Sequence, residues 1–403
     1  MSALFLYDDA RARSFQPFAL TRPCGEMRAG ALLVRERWSR AVGAEVAGHL
    51  VAPHLAGFEE AGTPPAMTDG VVPAGSWVAN ARFLPSLQPL QPGARVTRIG
   101  SAGHIVAVRI PRDIPVAELA DGSADLHSLA DREGEAAGAE GWWAEEVWDY
   151  IRHLVPMLEA DIPLLGAGMT SGAPEGSIEI GSHRVFVQQG ADIEPAVCFD
   201  TSAGPIFVST GAHVQAFTRL VGPLFIGTGS TVTTDRIAAS SIGDTCKVHG
   251  ELSNTIFVGH ANKGHDGFVG HSILGRWVNL GAGTITSNLK NTYGTVQLWT
   301  PTGVRETGLQ FLGTLFGDHA KTGIGLTLTT GTVLGPGANV YGSVMPPKMV
   351  PPFAWGESGA FADYRLDKFL EVAERMMQRR HVELGAGARG QLERAFADRW
   401  TAG

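Results

Sequence analysis

The chain is poor in cysteine, in charge and in long apolar runs. Its 403 residues hold three cysteines. Cys24, Cys198 and Cys246 lie far apart, which excludes a disulfide framework and a C-x-x-C metal knuckle and fits a reducing, cytoplasmic setting. No uncharged apolar stretch reaches the ~18 residues of a membrane span. The opening MSALFLYDDARAR meets Asp8 and Asp9 at once and has no basic residue before its short apolar run, so it does not read as a signal peptide. Lys and Arg number 32 against 40 Asp and Glu, a net charge of -8, which argues against nonspecific nucleic-acid binding. Charged residues make up only 18% and apolar residues 44%, so intrinsic disorder is excluded. Glycine is abundant, 52 residues, yet has no G-X-Y period, so collagen is excluded. At roughly 150 residues per domain, two or three domains are expected.

What is present is a repeat. Every sixth residue from Val208 reads Val208, Val214, Leu220, Ile226 and Val232. Every sixth from Phe316 reads Phe316, Thr322, Leu328, Leu334 and Val340; between the two runs lie Ile242 and Val248, then Phe268, Leu274 and Leu280. Glycine often follows the apolar position, as at Gly227, Gly243, Gly275 and Gly335. A six-residue period is neither helical nor that of a simple strand. It predicts a left-handed parallel β-helix, three units to a coil, with the sixth-position aliphatics stacked inside. A β-sandwich does not hold such a phase.

The expected organisation follows. Residues 1–165 form an α/β domain, opened by a buried strand at Ala3–Tyr7 and including a strand at Gly103–Ile110. Ala120–Gly141 reads as a mobile loop, and Val147, Trp148, Ile151, Leu154, Val155 and Leu158 form a helical face that ends near Glu159. A linker spans 166–176 and the β-helix 177–352, interrupted by an insertion at about 286–315. Residues 353–403 form a C-terminal helical segment whose face (Leu366, Phe369, Leu370, Ala373, Met376, Met377) would cap the last coil.

Two strings carry chemistry. One is Asn262-Lys263-Gly264-His265-Asp266-Gly267-Phe268-Val269-Gly270. The other is Val278-Asn279-Leu280-Gly281-Ala282-Gly283-Thr284-Ile285-Thr286-Ser287-Asn288-Leu289. Together they resemble the bifunctional UDP-N-acetylglucosamine pyrophosphorylase/glucosamine-1-phosphate N-acetyltransferase family, in a subfamily with a shortened sugar nucleotidyltransferase domain. The resemblance implies acetyl-CoA as acyl donor and an amino-sugar phosphate as acceptor. It also implies a homotrimer with acetyl-CoA in the groove between two prisms. His265 falls on the family's base, and Asn279 and Asn288 on its two asparagines. Phe268 and Leu289 stand where the family has tyrosines, which removes hydroxyl contacts; Lys263 lies two residues before the histidine rather than three. The chemistry is reasonable in itself. Acetyl transfer to an amine needs a base near neutrality, and imidazole is one. An asparagine amide or a backbone N–H can steady the oxyanion; Asn288 is the candidate for positioning the amine or acetyl group, and Asn279 for the sugar. Lys263, Lys290 and Arg276 are candidate phosphate contacts.

At the other end, Arg11, Arg13, Phe15, Pro17, Leu20, Thr21, Arg22 and Pro23 loosely resemble the sugar nucleotidyltransferase opening, which implies binding of a nucleoside triphosphate. The glycines of that loop are replaced by Asp8-Asp9-Ala10-Arg11-Ala12-Arg13. Arg13 falls on the family arginine, and Arg22 or Arg28 would replace its lysine. Asp8 and Asp9 are candidates for Mg²⁺. Two other readings stay open. His260 and His265 form H-x4-H, which resembles the zinc site of γ-class carbonic anhydrases; His271 is too close in sequence to supply the third histidine, and His213 and His249 stand at no clear whole-coil offset. The solenoid could also be a noncatalytic scaffold that binds a nucleotide sugar.

Overall fold

The computed structural model describes residues 3–90, 92–130, 134–357 and 360–400. It divides into two compact units, Met1–Asp149 with Leu384–Asp398, and Tyr150–Glu383 with Arg399–Gly403.

The first unit is built on a seven-stranded sheet. An inner strand, Leu4–Tyr7, is buried along its whole length, as an uninterrupted apolar run requires. It pairs in parallel with Val46–Leu50 on one side and Trp77–Asn80 on the other. His104–Arg109 and Val96–Ser101 extend the sheet antiparallel. The helix Val34–Val42 forms part of the crossover between parallel strands and stops at Gly43, whose φ of 68° supplies the left-handed closing residue. Asp8 and Asn80 therefore lie at the carboxyl ends of neighbouring parallel strands, where open α/β sheets bind ligands. The helix Ala386–Ala397 also belongs to this unit, and Arg394 Nη2 donates to the Ala56 carbonyl.

Two local expectations are corrected. Ala120–Gly141 is not simply a mobile loop. Asp125 accepts the His127 N–H at 3.0 Å and caps a one-turn helix, Leu126–Leu129, while Glu135–Gly138 adds an edge strand parallel to Val96–Ser101. Residues 131–133 of that stretch lie outside the described residues. The edge strand is small and mostly exposed, so it carries no apolar alternation to read. The helical face after Val147 is two pieces, Asp149–Arg152 and Leu154–Leu165, and the second runs through Pro163.

The second unit is a three-faced β-solenoid. One face has nine strands, from Val185–Val187 to Met349–Val350, and a second has ten, from Asp192–Ile193 to Ala362–Asp363. The third runs over six strands, from Ile178–Gly181 to Val269–Gly270, with Ile285–Thr286 and Thr327–Leu328 pairing beyond it. Pairing is parallel from coil to coil; the final strand, Ala362–Asp363, pairs antiparallel. Val208, Val214, Leu220, Ile226, Val232, Ile242, Leu274, Leu280, Leu334 and Val340 all lie in the one buried cluster that fills the prism. Burying each stabilises by roughly 1.5–3 kcal/mol. The sequence phase is off by one residue at one point. Phe268 is half-buried, and Val269 is the residue turned inward. The loop after Lys263 shifts the phase there. Between Ile285–Thr286 and Thr314–Phe316 the chain leaves the coil and forms an antiparallel hairpin, Gln297–Thr300 with Gly303–Glu306.

The helix Leu366–Gln378 lays Phe369 edge-on against Phe353, with ring centres 5.0 Å apart, and against His319 at 5.7 Å. The helix thereby packs on the rings of one corner of the prism. Phe369→Ala is expected to destabilise the solenoid by about 3–5 kcal/mol. A lower urea midpoint in the circular dichroism of the full chain checks it.

Candidate functional site

The three corners of the prism carry most of its polar chemistry, and each corner holds a different set. Many corner turns need a residue at positive φ. Where that residue is not glycine, its side chain stands out from the coil.

The corner before the Val269 strand holds His265. Its imidazole is exposed and lines a cleft of about 640 Å³ with His249, Asp266, Ala282, Gly283, Ile324 and Gly325. His249 is held at both ring nitrogens. Nε2 meets Asp266 Oδ1 at 2.8 Å, and Nδ1 meets the Thr233 and Thr234 hydroxyls at 2.9 and 3.0 Å. Among the described residues, Asp235, His249 and Asp266 form a group whose potential ligand atoms lie within 4.8 Å of one another. Lys263 does not reach into the cleft. It is buried, and its Nζ donates to the His249 and His265 carbonyls, 2.7 Å each. Burial pushes its ammonium down to about 8, against the pull of Asp266 and Asp235.

The next corner holds Asn288. Its Nδ2 donates to His271 Nδ1 at 2.9 Å, and Phe311 stacks on the His271 ring at 5.2 Å. The Phe268 ring and the Asn288 amide both close over Gly270, where a Cβ would meet them at 2.5 and 2.6 Å. Burial lowers His271 to about 4, so its ring is neutral at pH 7. Within one chain, then, Asn288 is set beside His271 and Phe268, one prism face away from His265. Sequence reading passed over His271 as an acceptor for Asn288. The offset of about one coil, His271 to Asn288, was the available signal.

The third corner holds Arg276. Its Nη2 donates to His260 Nδ1 at 2.7 Å, and the His260, Trp277 and His319 rings stack in succession at 4.4 and 6.3 Å. Burial, and then the charges of Arg276 and Arg380, lower His260 to about 3. His260 and His265 thus sit on separate corners, and the H-x4-H pair is not brought together. Asn279 lies on the flat face between these corners, where its Oδ1 accepts from Asn262 Nδ2 at 2.6 Å. Lys290 lies in the inserted segment and donates to the Thr295 carbonyl at 3.0 Å.

In the first unit a cleft of about 520 Å³ opens at the strand ends, lined by Asp9, Arg11, Asn80, Arg82, His104, Asp125, His127 and Trp143 among others. Asp9 accepts from Arg82 Nε and Nη2, from Asn80 Nδ2 at 2.8 Å and from the Ala12 N–H at 2.8 Å. Burial raises its carboxyl, but the Arg82 bonds and charge outweigh that and hold it low. Asp8 is buried, accepts the Cys24 N–H at 3.0 Å, and is pushed up to about 6 by burial. With Asp9 saturated by donors and Asp8 enclosed, this pair does not fit a Mg²⁺ site. The arginines are similarly engaged. Arg13 donates to the Asp8, Ala120 and Leu119 carbonyls. Arg11 pairs with Glu146, Arg22 with Glu60 at 2.9 Å, and Arg28 donates to the Ala31 carbonyl. Arg11 and Asp9 line the cleft; Arg13, Arg22 and Arg28 do not. Arg82, which joins Asp9 to the ring face of Trp143 at 5.1 Å, was not legible from the opening motif.

Residues 4–170 match the family described as sugar nucleotidyl transferase. A bifunctional sugar-1-phosphate nucleotidylyltransferase/acetyltransferase from Sulfurisphaera tokodaii is 30% identical over 91 residues, 23% of this chain and 23% of that protein. The chain therefore matches less than a quarter of that relative's length. Among solved structures, a variant of AntD, an N-acyltransferase from Bacillus cereus in complex with dTDP-4-amino-4,6-dideoxyglucose and coenzyme A, is 14% identical. It covers 52% of this chain and 98% of its own, with a TM-score of 0.22. The UDP-N-acetylglucosamine acyltransferase from Campylobacter jejuni is 13% identical over 51% of this chain and 94% of its own, with a TM-score of 0.15. The architecture of the solenoid rests on its own strand pairing. In the region that matches this family, the cleft lies where the parallel strands end.

An imidazole held below its ordinary value of 6.5 binds fewer protons folded than unfolded. The stability it contributes is present above about pH 6.5 and is lost as pH falls toward 4 for His271 and 3 for His260. The thermal midpoint is therefore expected to fall from pH 7 to pH 4. His260→Phe, which keeps a ring on Trp277 but takes no proton, is expected to flatten that fall.

Proposed function

We propose that the chain is a sugar-phosphate transferase with two activities. The solenoid moves an acetyl group from acetyl-CoA to the amine of an amino-sugar 1-phosphate. The N-terminal domain joins a sugar 1-phosphate to a nucleoside triphosphate. The observation that carries the first activity is His265, an exposed imidazole in a defined cleft at a prism corner, on the string that matches the acetyltransferase pattern. The relative that combines the two activities supports the pairing.

The His265 ring removes one proton from the substrate ammonium and passes it to solvent. The freed nitrogen attacks the thioester carbonyl carbon, and its π electrons move to oxygen. Collapse of the tetrahedral oxyanion re-forms the carbonyl and breaks the C–S bond. The second nitrogen proton travels through the imidazole to the departing thiolate. Asn279, on the ladder with Asn262, offers its amide to sugar hydroxyls. The Asn288–His271 pair faces outward from the neighbouring corner, which suits a site completed between protomers. Ile324, 80% exposed at the cleft, and the exposed Val344 and Met345 fit burial in a homotrimer. The free cysteines, and the absence among the described residues of any helix long and apolar enough to cross a membrane, support a cytoplasmic setting for acetyl-CoA chemistry.

In the N-terminal domain the Arg82–Asp9 pair and Trp143 would orient the sugar nucleotide at the strand ends. No step is assigned to a metal there.

His265→Ala is expected to lower CoA release from acetyl-CoA and glucosamine 1-phosphate by at least about 10²-fold, the usual worth of a general base, while light scattering shows the oligomer unchanged. Undiminished turnover removes His265 from the reaction. Arg82→Ala is expected to lower pyrophosphate release from a nucleoside triphosphate and a sugar 1-phosphate by at least about tenfold, since it frees Asp9 and uncovers Trp143.

A further inference from the structure

The interior positions of one solenoid face are mostly aliphatic; Thr322 is polar, and Lys263 is ionisable. In register from coil to coil, Val214 pairs with Val232, Val232 with Val248, and Val248 with Lys263. The neighbouring pair Asn262 and Asn279 then puts Leu280 next in line. Val248 and Leu280 are each 1% exposed, and Lys263 is 2% exposed. A lysine thus starts from a position that otherwise points into the apolar core.

Removing an ammonium from water is costly unless its donors are met. Nζ turns up out of the core beneath the loop and donates to the carbonyl oxygens of His249 and His265, 2.7 Å each. The room for it is specific. At Gly250, φ 83°, a Cβ would come within 2.7 Å of Nζ and 3.1 Å of the His265 carbonyl. At Gly267, φ 122°, a Cβ would meet the Thr284 carbonyl at 2.2 Å. The loop from Gly264 to Gly267 therefore rests on the lysine from below and on glycine contacts at its sides.

We propose that Lys263 is a positioning residue for His265: its ammonium, anchored in the core, ties the His265 backbone to that of His249 and so fixes where the imidazole stands in the cleft. This replaces the phosphate contact expected from its place in the sequence. It rests on His265 being the base. The two hydrogen bonds restrict the backbone carrying the ring, and placement to within about half an ångström is what general-base catalysis requires. A methionine of similar length would fill the same channel without donating.

The test uses the full-length chain. Lys263→Met is expected to lower kcat for CoA release by at least tenfold, with KM for acetyl-CoA and for glucosamine 1-phosphate within twofold. Lys263→Gln, which keeps a donor, is expected to recover part of that loss. Val248→Ala, a cavity in the adjacent coil at the same register, controls for stability: it should lower the thermal midpoint and leave kcat unchanged. Amide hydrogen exchange of residues 264–267 should quicken in Lys263→Met and not in Val248→Ala. Unchanged kcat in Lys263→Met, or an equal loss in Val248→Ala, overturns the positioning role. Should wild-type turnover be absent, or survive His265→Ala, the base assignment fails, and exchange over 264–267 still reads the anchoring: unchanged exchange in Lys263→Met overturns it.

Discussion

The constraint that governs the solenoid is the stacking of inward aliphatics in coil-to-coil register. A coil of three short strands buries little on its own. It becomes stable when each inward side chain lies on its counterpart above and below and the backbone amides pair between coils. Val208, Ile226, Ile242, Phe257 and Leu274 meet that demand along one face. Once the interior is set, the chain has freedom only at the corners, and that is where histidines, asparagines and acids gather.

The corners have a conformational cost. Each left-handed residue that is not glycine is strained by roughly 1–2 kcal/mol. His260, Trp277, His319 and Phe353 accept that strain on one corner, at φ of 53, 64, 62 and 55°. Their rings stack and lie under Phe369, which offsets it. His271, φ 48°, is supported differently, by Asn288 and Phe311. The first of these corners is a packed column of rings. The corner with His265 is open to solvent, its imidazole exposed at the cleft.

The N-terminal domain solves a different problem. Without the glycines that let a backbone wrap a triphosphate, the loop after the first strand is held by side chains. Asp9 is clamped by Arg82 and Asn80, and Arg13 is fixed by three carbonyls. Charges that looked available in the sequence are bound within the fold, and the cleft is shaped by residues from three strand ends.

The sequence by itself determined the repeat, because a six-residue period leaves its mark wherever one side chain in six must be apolar. It also determined the candidate base, since the string around His265 is distinctive as a string. It could not determine the phase near Val269, the edge strand Glu135–Gly138, or the partners of Asn288 and Arg276. Those depend on which coil lies above which, and a loop lengthened by a single residue moves every later contact. Whether Lys263 faced a ligand or a carbonyl was likewise settled by tertiary structure: its register placed it inside an apolar prism, where an ammonium must find acceptors, and the nearest were the backbone oxygens of the two histidines.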